Sequence, residues 1–246
     1  MSPLNEQAGL GLCRAYLRSQ GQNLEQSARE GHWPHPGPAI TLSYQTGAGA
    51  HEMAEELALI LQRHESTATP AWTVFDRELV ERVLEDHQLP RSIARYMPED
   101  RRSFIRDVMD ELVGLRPPSW VLVPQIAETV LQLAEAGRVI LVGRGASFIT
   151  ARLPNVFHVR LIASLPTRIE RVRKAENLPP REAARLITRS DRGRGRYVKA
   201  HFHGRVGDDL QYHLVVNTDR IPLPEAAELV AEAARRSFHE SLEPKV

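Results

Sequence analysis

The sequence is short of several things at once, and each shortage removes a class of function. It has 246 residues and a single cysteine, Cys13. No internal disulfide can form, and a reducing, cytoplasmic setting is the expectation. No apolar run approaches the ~20 residues that cross a bilayer. The N-terminal stretch has no basic segment followed by an apolar one, so no secretory signal is expected. Lysine plus arginine number 32 and aspartate plus glutamate 31, for a formal net charge of +1. That balance gives no reason to invoke a membrane or a nucleic acid as partner. There is no Gly-x-Ser-x-Gly elbow for an acyl nucleophile. His201 and His203 have no further Cys or His beside them to complete a metal site, so they read as surface residues and no protein-bound metal is predicted.

What is present is an ordinary globular composition, 42% hydrophobic and 26% charged, in an organised pattern. Residues 1–38 read as an N-terminal extension, in which Leu10, Leu12, Tyr16 and Leu17 share one face of a short helix. Residues 39–246 read as one α/β domain. Strand-like runs recur at Ile40–Tyr44, Ala71–Phe75, Arg138–Val142, Phe157–Ala163 and Tyr212–Thr218, and helical spacing fills the intervals between them. The run Arg138–Val142 is almost wholly apolar, as suits a parallel strand buried on both faces. Strict alternation of this kind predicts a doubly wound parallel sheet with helices on both sides, three layers in all. Residues 88–118, polar with scattered apolar positions, suit a substrate-binding helical insertion, and residues 181–205 a lid.

Candidate chemistry clusters at strand ends. Ile40–Leu61 reads as strand, small-residue turn and helix, with Gln45-Thr46-Gly47-Ala48-Gly49-Ala50 as the turn. Bare backbone N–H groups and a helix N-terminus favour an anion, so the stretch suits a phosphate cradle. It also suits a ligand-free connection, because the lysine of a phosphate loop is missing and Ala50 and His51 stand in its place. Asp76, after the run ending at Phe75, is either a helix N-cap or, with Arg77, part of the mouth of the same crevice. In Gly143-Arg144-Gly145 the glycines allow close approach and the arginine offers a fork for phosphate. The stretch Arg185 to Tyr197 interleaves arginines with glycine and one aspartate, which suits a mobile lid over phosphates more than an ordinary solvated helix face. An RNA-binding patch is the competing reading there, and near-neutral charge and few aromatics weigh against it.

Taken in order, these motifs resemble the cytidylate kinase-like family of phosphate-loop (P-loop) nucleoside monophosphate kinases. The resemblance runs from about Ile40 to about Ala234. It is carried by ITLSYQTGAGAHEMAEELA, FDRELVERV, VILVGRGASFI, VRLIASLPTRIERV, RSDRGRGRYVKAHF and YHLVVNTDRIPLPEAAELV. It implies a P-loop NTPase fold with small-molecule nucleotides as partners. It also implies transfer of the ATP γ-phosphoryl group, as the magnesium complex, to a pyrimidine nucleoside monophosphate such as CMP or dCMP. Carried over residue by residue, Gly47, Ala48, Gly49, Ala50, His51 and Glu52 would form the ATP loop, and Asp76, Arg77 and Arg144 would bind the acceptor. Arg189, Asp191, Arg192 and Arg194, in the family's Arg-x-Asp-Arg-x-Arg spacing, would supply the catalytic lid.

This sequence departs from that pattern at Ala50, which replaces the lysine, and at His51, where related chains carry arginine. A histidine holds less charge at neutral pH than either cation. Glu52 stands where a hydroxyl would ligate magnesium, and Arg144 follows the third strand where an acidic residue is expected. The alternative from another class is a catalytically inactive nucleotide-sensing or scaffolding protein that kept the cradle and lost the lysine.

Overall fold

The computed structural model describes residues 15–16, 36–63, 71–76, 123–143 and 145–242. In chain order the elements are β1 (Ala39–Tyr44), α1 (Ala50–Arg63), β2 (Thr73–Phe75), α2 (Val123–Ala136), β3 (Val139–Val142), α3 (Ala146–Ile149), β4 (Val156–Ile162), α4 (Leu165–Glu176), α5 (Pro180–Phe202), a 3-10 turn (Asp209–Gln211), β5 (Leu214–Asn217) and α6 (Leu223–Leu242). The readings placed on residues 77–122, including Arg77 and the 88–118 insertion, and on Arg144 lie outside the described residues.

The sheet order is β2-β3-β1-β4-β5, and every pairing is parallel. Successive side chains of a strand point to opposite faces, and the apolar runs use both. Ile40, Leu42, Ile140 and Val142 pack beneath α1 and α6 with Met53, Leu57, Ala227 and Val230. Ala39, Val139 and Leu141 face the other way, onto Ile126, Val130 and Leu131 of α2 and onto Ile149 of α3. That two-sided burial explains why β3 carries four apolar residues in a row: each side chain enclosed this way stabilises the fold by about 1.5–3 kcal/mol. From the extension, Tyr16 is buried at the α2–β3 corner. Its hydroxyl donates to the Gly137 carbonyl at 2.6 Å and its ring meets Phe75 edge-on at 5.5 Å.

The chain leaves β1 toward β2 and β3 and then crosses to β4 and β5 on the other side, so β1 lies where the winding reverses. Parallel sheets take ligands outside the carboxyl ends of their strands at such a point.

The residues read as a lid lie largely on one helix. The arginine-glycine stretch is helix throughout, as part of the 23-residue α5. Pro179 and Pro180 start the helix without needing its first N–H groups, and Ala183, Ile187 and Val198 bury a stripe. The upper part of that stripe packs on Val172 of α4. Gly193 and Gly195 cost about 1 kcal/mol each in helix propensity, too little to break a helix held along its buried side. No helix among the described residues is long and apolar enough to cross a membrane.

Candidate functional site

The turn after β1 is built from behind. The Gln45 N–H donates to the Leu161 carbonyl at 3.0 Å, and Gln45 Oε1 accepts the Ala163 N–H at 3.0 Å. Gly47 and Gly49 sit at φ 84° and 86°, where side chains are strained. A Cβ on Gly47 would lie 2.7 Å from the Arg168 carbonyl oxygen, and one on Gly49 2.6 Å from Leu223. The Ala48 carbonyl accepts the Thr218 hydroxyl at 3.1 Å. Thr218 is in turn gripped by Arg171 through its hydroxyl at 2.8 Å and its carbonyl at 3.0 Å. The glycines are therefore fixed by close approach of α4 and of the first residue of α6, and the turn opens onto the start of α1. The first N–H groups of that helix have no intrahelical acceptor.

A polar knot closes the mouth of the turn. Asp191 of α5 accepts the Thr46 N–H at 2.9 Å and the Thr46 hydroxyl at 2.8 Å on Oδ1. Arg194 donates to the same oxygen at 2.6 Å, and Arg168 donates to Oδ2 at 2.7 Å. Arg194 also meets the Thr46 hydroxyl and lies over the Tyr44 ring, 4.5 Å from its centroid. Burial alone would push the Asp191 carboxyl up. The Thr46 N–H and hydroxyl and the two guanidinium groups outweigh it and hold the acid below the usual aspartate range. Arg168 is 9% exposed, and its Nε–H is buried without a partner.

The lysine position itself is filled by the buried methyl of Ala50. His51 stays 57% exposed, with Nδ1 3.9 Å from Asp76 Oδ2 and its ring edge-on to Tyr44 at 6.0 Å. The structure thus brings His51 and Asp76 together beside the loop. Glu52 is exposed on the first turn of α1.

Next to the knot, a cleft of about 410 Å³ runs between the ends of β1 and β3 and the inner side of α5. Tyr44, Phe148 and Tyr197 supply flat walls, Ser43, Ser147 and Ser190 hydroxyls, and Arg194 the cation. Gly143 and Gly145, on either side of Arg144, form one rim. Below the cleft, the Tyr212 hydroxyl donates to the Val206 carbonyl at 3.0 Å and lies 3.1 Å from Ser43 Oγ. The buried Arg160 also donates to Ser43, at 3.0 Å.

Of the lid residues expected from the sequence, Asp191 and Arg194 reach the loop. Arg189 and Arg192 do not: they line an open groove on the opposite side of α5 with Arg185, Arg196 and Lys199. Sequence reading missed Arg168 as a site residue, and it placed Thr46 in the turn without its bonds to Asp191. Thr46 lies 145 positions from Asp191, so no local pattern links them. Arg168 carried one usable signal, an arginine in the first turn of the helix that leaves a buried strand at the sheet's carboxyl edge. Of the histidines read as surface residues, His203 ends α5 at φ 50° and is exposed. His201 is half-buried, edge-on to Tyr197 at 4.5 Å, and burial lowers its pKa. Among the described residues no group of three or more His, Cys, Asp or Glu is placed to hold a metal.

A parallel sheet flanked by helices, with a glycine turn between β1 and α1, defines a kinase-like nucleotide-binding fold. Residues 39–220 match the model of the cytidylate kinase-like family, and the chain belongs to that family. Among solved structures, an uncharacterized protein from Eubacterium ventriosum superposes with a TM-score of 0.63 at 18% identity, over 81% of this chain and 98% of that one. That likeness establishes a shared fold. A shikimate kinase from Bacteroides thetaiotaomicron aligns over 84% of this chain and 99% of that one at 17% identity, but its TM-score of 0.41 carries no argument about the site. A curated uronate isomerase of Corynebacterium glutamicum is 29% identical over 114 residues, 46% of this chain. The match spans only 22% of the isomerase's length.

Proposed function

We propose that this chain holds the phosphates of ATP at Thr46–His51 and transfers the γ-phosphoryl group to a pyrimidine nucleoside monophosphate, CMP or dCMP, seated in the neighbouring cleft. In that step an oxygen of the acceptor's phosphate bonds to the γ-phosphorus as the bond from phosphorus to the bridging oxygen breaks, and ADP leaves with that electron pair. The observation that carries the reading is the convergence of the Thr46 N–H and hydroxyl, Arg168 and Arg194 on one carboxylate at the glycine turn. Donors that surround an oxyanion are the main requirement of phosphoryl transfer, which depends on positioning and charge more than on covalent chemistry. Arg168 and Arg194 supply the positive charge that Ala50 does not, and Asp191 holds the two forks in place. Asp76, and Arg77 and Arg144 from outside the described residues, are the proposed ligands of the acceptor.

The donor set does not fit a protein-built magnesium site. Both Asp191 oxygens are taken by arginines and Thr46, and Glu52 is exposed. Magnesium is therefore proposed to arrive on the nucleotide with its own waters, and no step is routed through a protein-bound ion. The scarcity of cysteine supports a cytoplasmic setting.

A second reading is a nucleotide-sensing or scaffolding protein without turnover, favoured by the apolar Ala50 and the exposed His51. A coupled assay with ATP, magnesium and CMP, dCMP or UMP, run beside ATP titration calorimetry, separates the two. Turnover with one of these acceptors supports the kinase reading. ATP binding without turnover for any of them overturns it in favour of the second, and absence of both removes the phosphate site itself.

A further inference from the structure

The outer side of α5 carries Arg185, Arg189, Arg192, Arg196 and Lys199, all exposed. Their spacing of four, three, four and three residues puts all of them on one stripe of the helix. They line a single open groove with Ala184, Thr188 and Gly195. Among the described residues none of the five has an acidic partner, whereas cations elsewhere on the surface do: Arg173 and Lys174 pair with Glu170, and Arg235 and Arg236 with Glu232. Like charges at i,i+4 destabilise a helix, so the stripe works against the element that bears it. Gly195 adds to that cost. A Cβ there would meet nothing within 4 Å, so no internal packing requires glycine in the middle of this helix. It does keep the floor of the groove at backbone level, where an outside molecule can come close.

We propose that this stripe docks duplex nucleic acid through its phosphate backbone, without reading sequence. From Arg185 to Lys199 the helix rises about 21 Å, the axial length of about six base pairs at about 3.4 Å each. A regular row of phosphates complements a regular row of cations of that length. The groove has no aromatic residue on which single-stranded bases could stack, since Tyr197 and Phe202 of the same helix point inward, to the cleft and to Phe148. It has no large apolar residue either, which an interfacial membrane helix needs. A net charge of +1 does not oppose the reading, because the fold gathers these cations onto one side.

The test is fluorescence anisotropy of the whole chain with labelled 20-base-pair RNA and DNA duplexes, the single strands and anionic vesicles, between 25 and 200 mM salt. Up to five phosphate contacts predict that log K against log salt falls with a slope of about −3 to −4.5. R185Q/R196Q/K199Q, which leaves Arg189 and Arg192 in place, is expected to make that slope shallower by about 2–3 while ATP affinity stays within twofold. R63Q/K174Q/R236Q removes the same charge elsewhere and is expected to change the slope by less than 1. The proposal is overturned if duplexes do not bind at 50 mM salt, or if the slope is shallower than −1. It is equally overturned if the two triple variants behave alike, or if single strands or vesicles bind more tightly than duplexes.

Discussion

The two sides of α5 share one backbone and both carry arginine, yet they use charge in opposite ways. On the inner side Arg194 is drawn onto Asp191 and Tyr44, with Arg168 reaching in from α4, and the acid is held low by its donors. On the outer side the cations have no counter-ion among the described residues and crowd one groove. What separates them is position along the helical repeat, a one-residue step turning the side chain by about 100°. Arg192 and Arg194 are two residues apart and face opposite sides of the helix, one the groove and the other the cleft. A cation's role here follows from its helical phase, and a motif written as a string of letters does not display phase.

The largest break in this comparison is expected from its glycines. Gly47→Ala forces a side chain into the left-handed region, at about 1–2 kcal/mol, and against the Arg168 carbonyl 2.7 Å away, at about 1–3 kcal/mol. Urea melts should therefore show a loss of roughly 2–5 kcal/mol. A loss below ~1 kcal/mol would mean the loop is not seated on α4 as described.

Acid gives the next largest effect and isolates the sheet beneath α5. Burial, with the neighbouring His213, lowers the His158 pKa from 6.5 to about 4. Thr41 Oγ1 lies 2.8 Å from its Nδ1. Above pH 6.5 the imidazole is neutral in both folded and unfolded chains and stability is unaffected. As pH falls from 6.5 to about 4 only the unfolded chain takes up the proton, so stability is lost in that window, by about 3 kcal/mol in all. Asp191 has the opposite sign of charge: its lowered pKa contributes stability above the ordinary aspartate range, lost only as pH falls below it. His158→Gln should flatten the stability profile between pH 7 and 4.5, and Asp191→Asn should leave that part of it unchanged. The reverse outcome would place the acid response in α5.

The smallest effect is Gly195→Ala. With nothing near its Cβ, the change should stabilise the chain by about 0.5–1 kcal/mol, leave ATP affinity alone and weaken duplex binding two- to fivefold. Unaltered duplex binding would show that the groove floor does not meet the backbone of the ligand.

Much of the fold was legible because hydrophobic period is a local property. The apolar run Val139–Val142 announced a strand buried on both faces, and Met53, Leu57, Ile60 and Leu61 announced α1. The arginine-glycine stretch was legible as a basic segment set apart from an ordinary solvated helix face, but the length of its helix was not, because Ala183 and Ile187 are buried through packing on Val172 of α4, a contact no local pattern displays. The site was half legible. Gly47, Gly49, Asp191 and Arg194 carry motif spacing, whereas Arg168 and Thr46 join them through contacts across 23 to 145 positions of sequence. His51 was visible as a departure, but its approach to Asp76 depended on the relative placement of α1 and β2, which no local pattern encodes.

The most direct test sets Arg194→Ala beside Arg192→Ala in titrations with ATP. If the inner side of α5 completes the phosphate site, losing the charge-assisted bonds of Arg194 should weaken ATP by about 10- to 100-fold, while Arg192→Ala should stay within twofold. Equal losses, or a larger loss at Arg192, would contradict the assignment of the two sides to two different ligands.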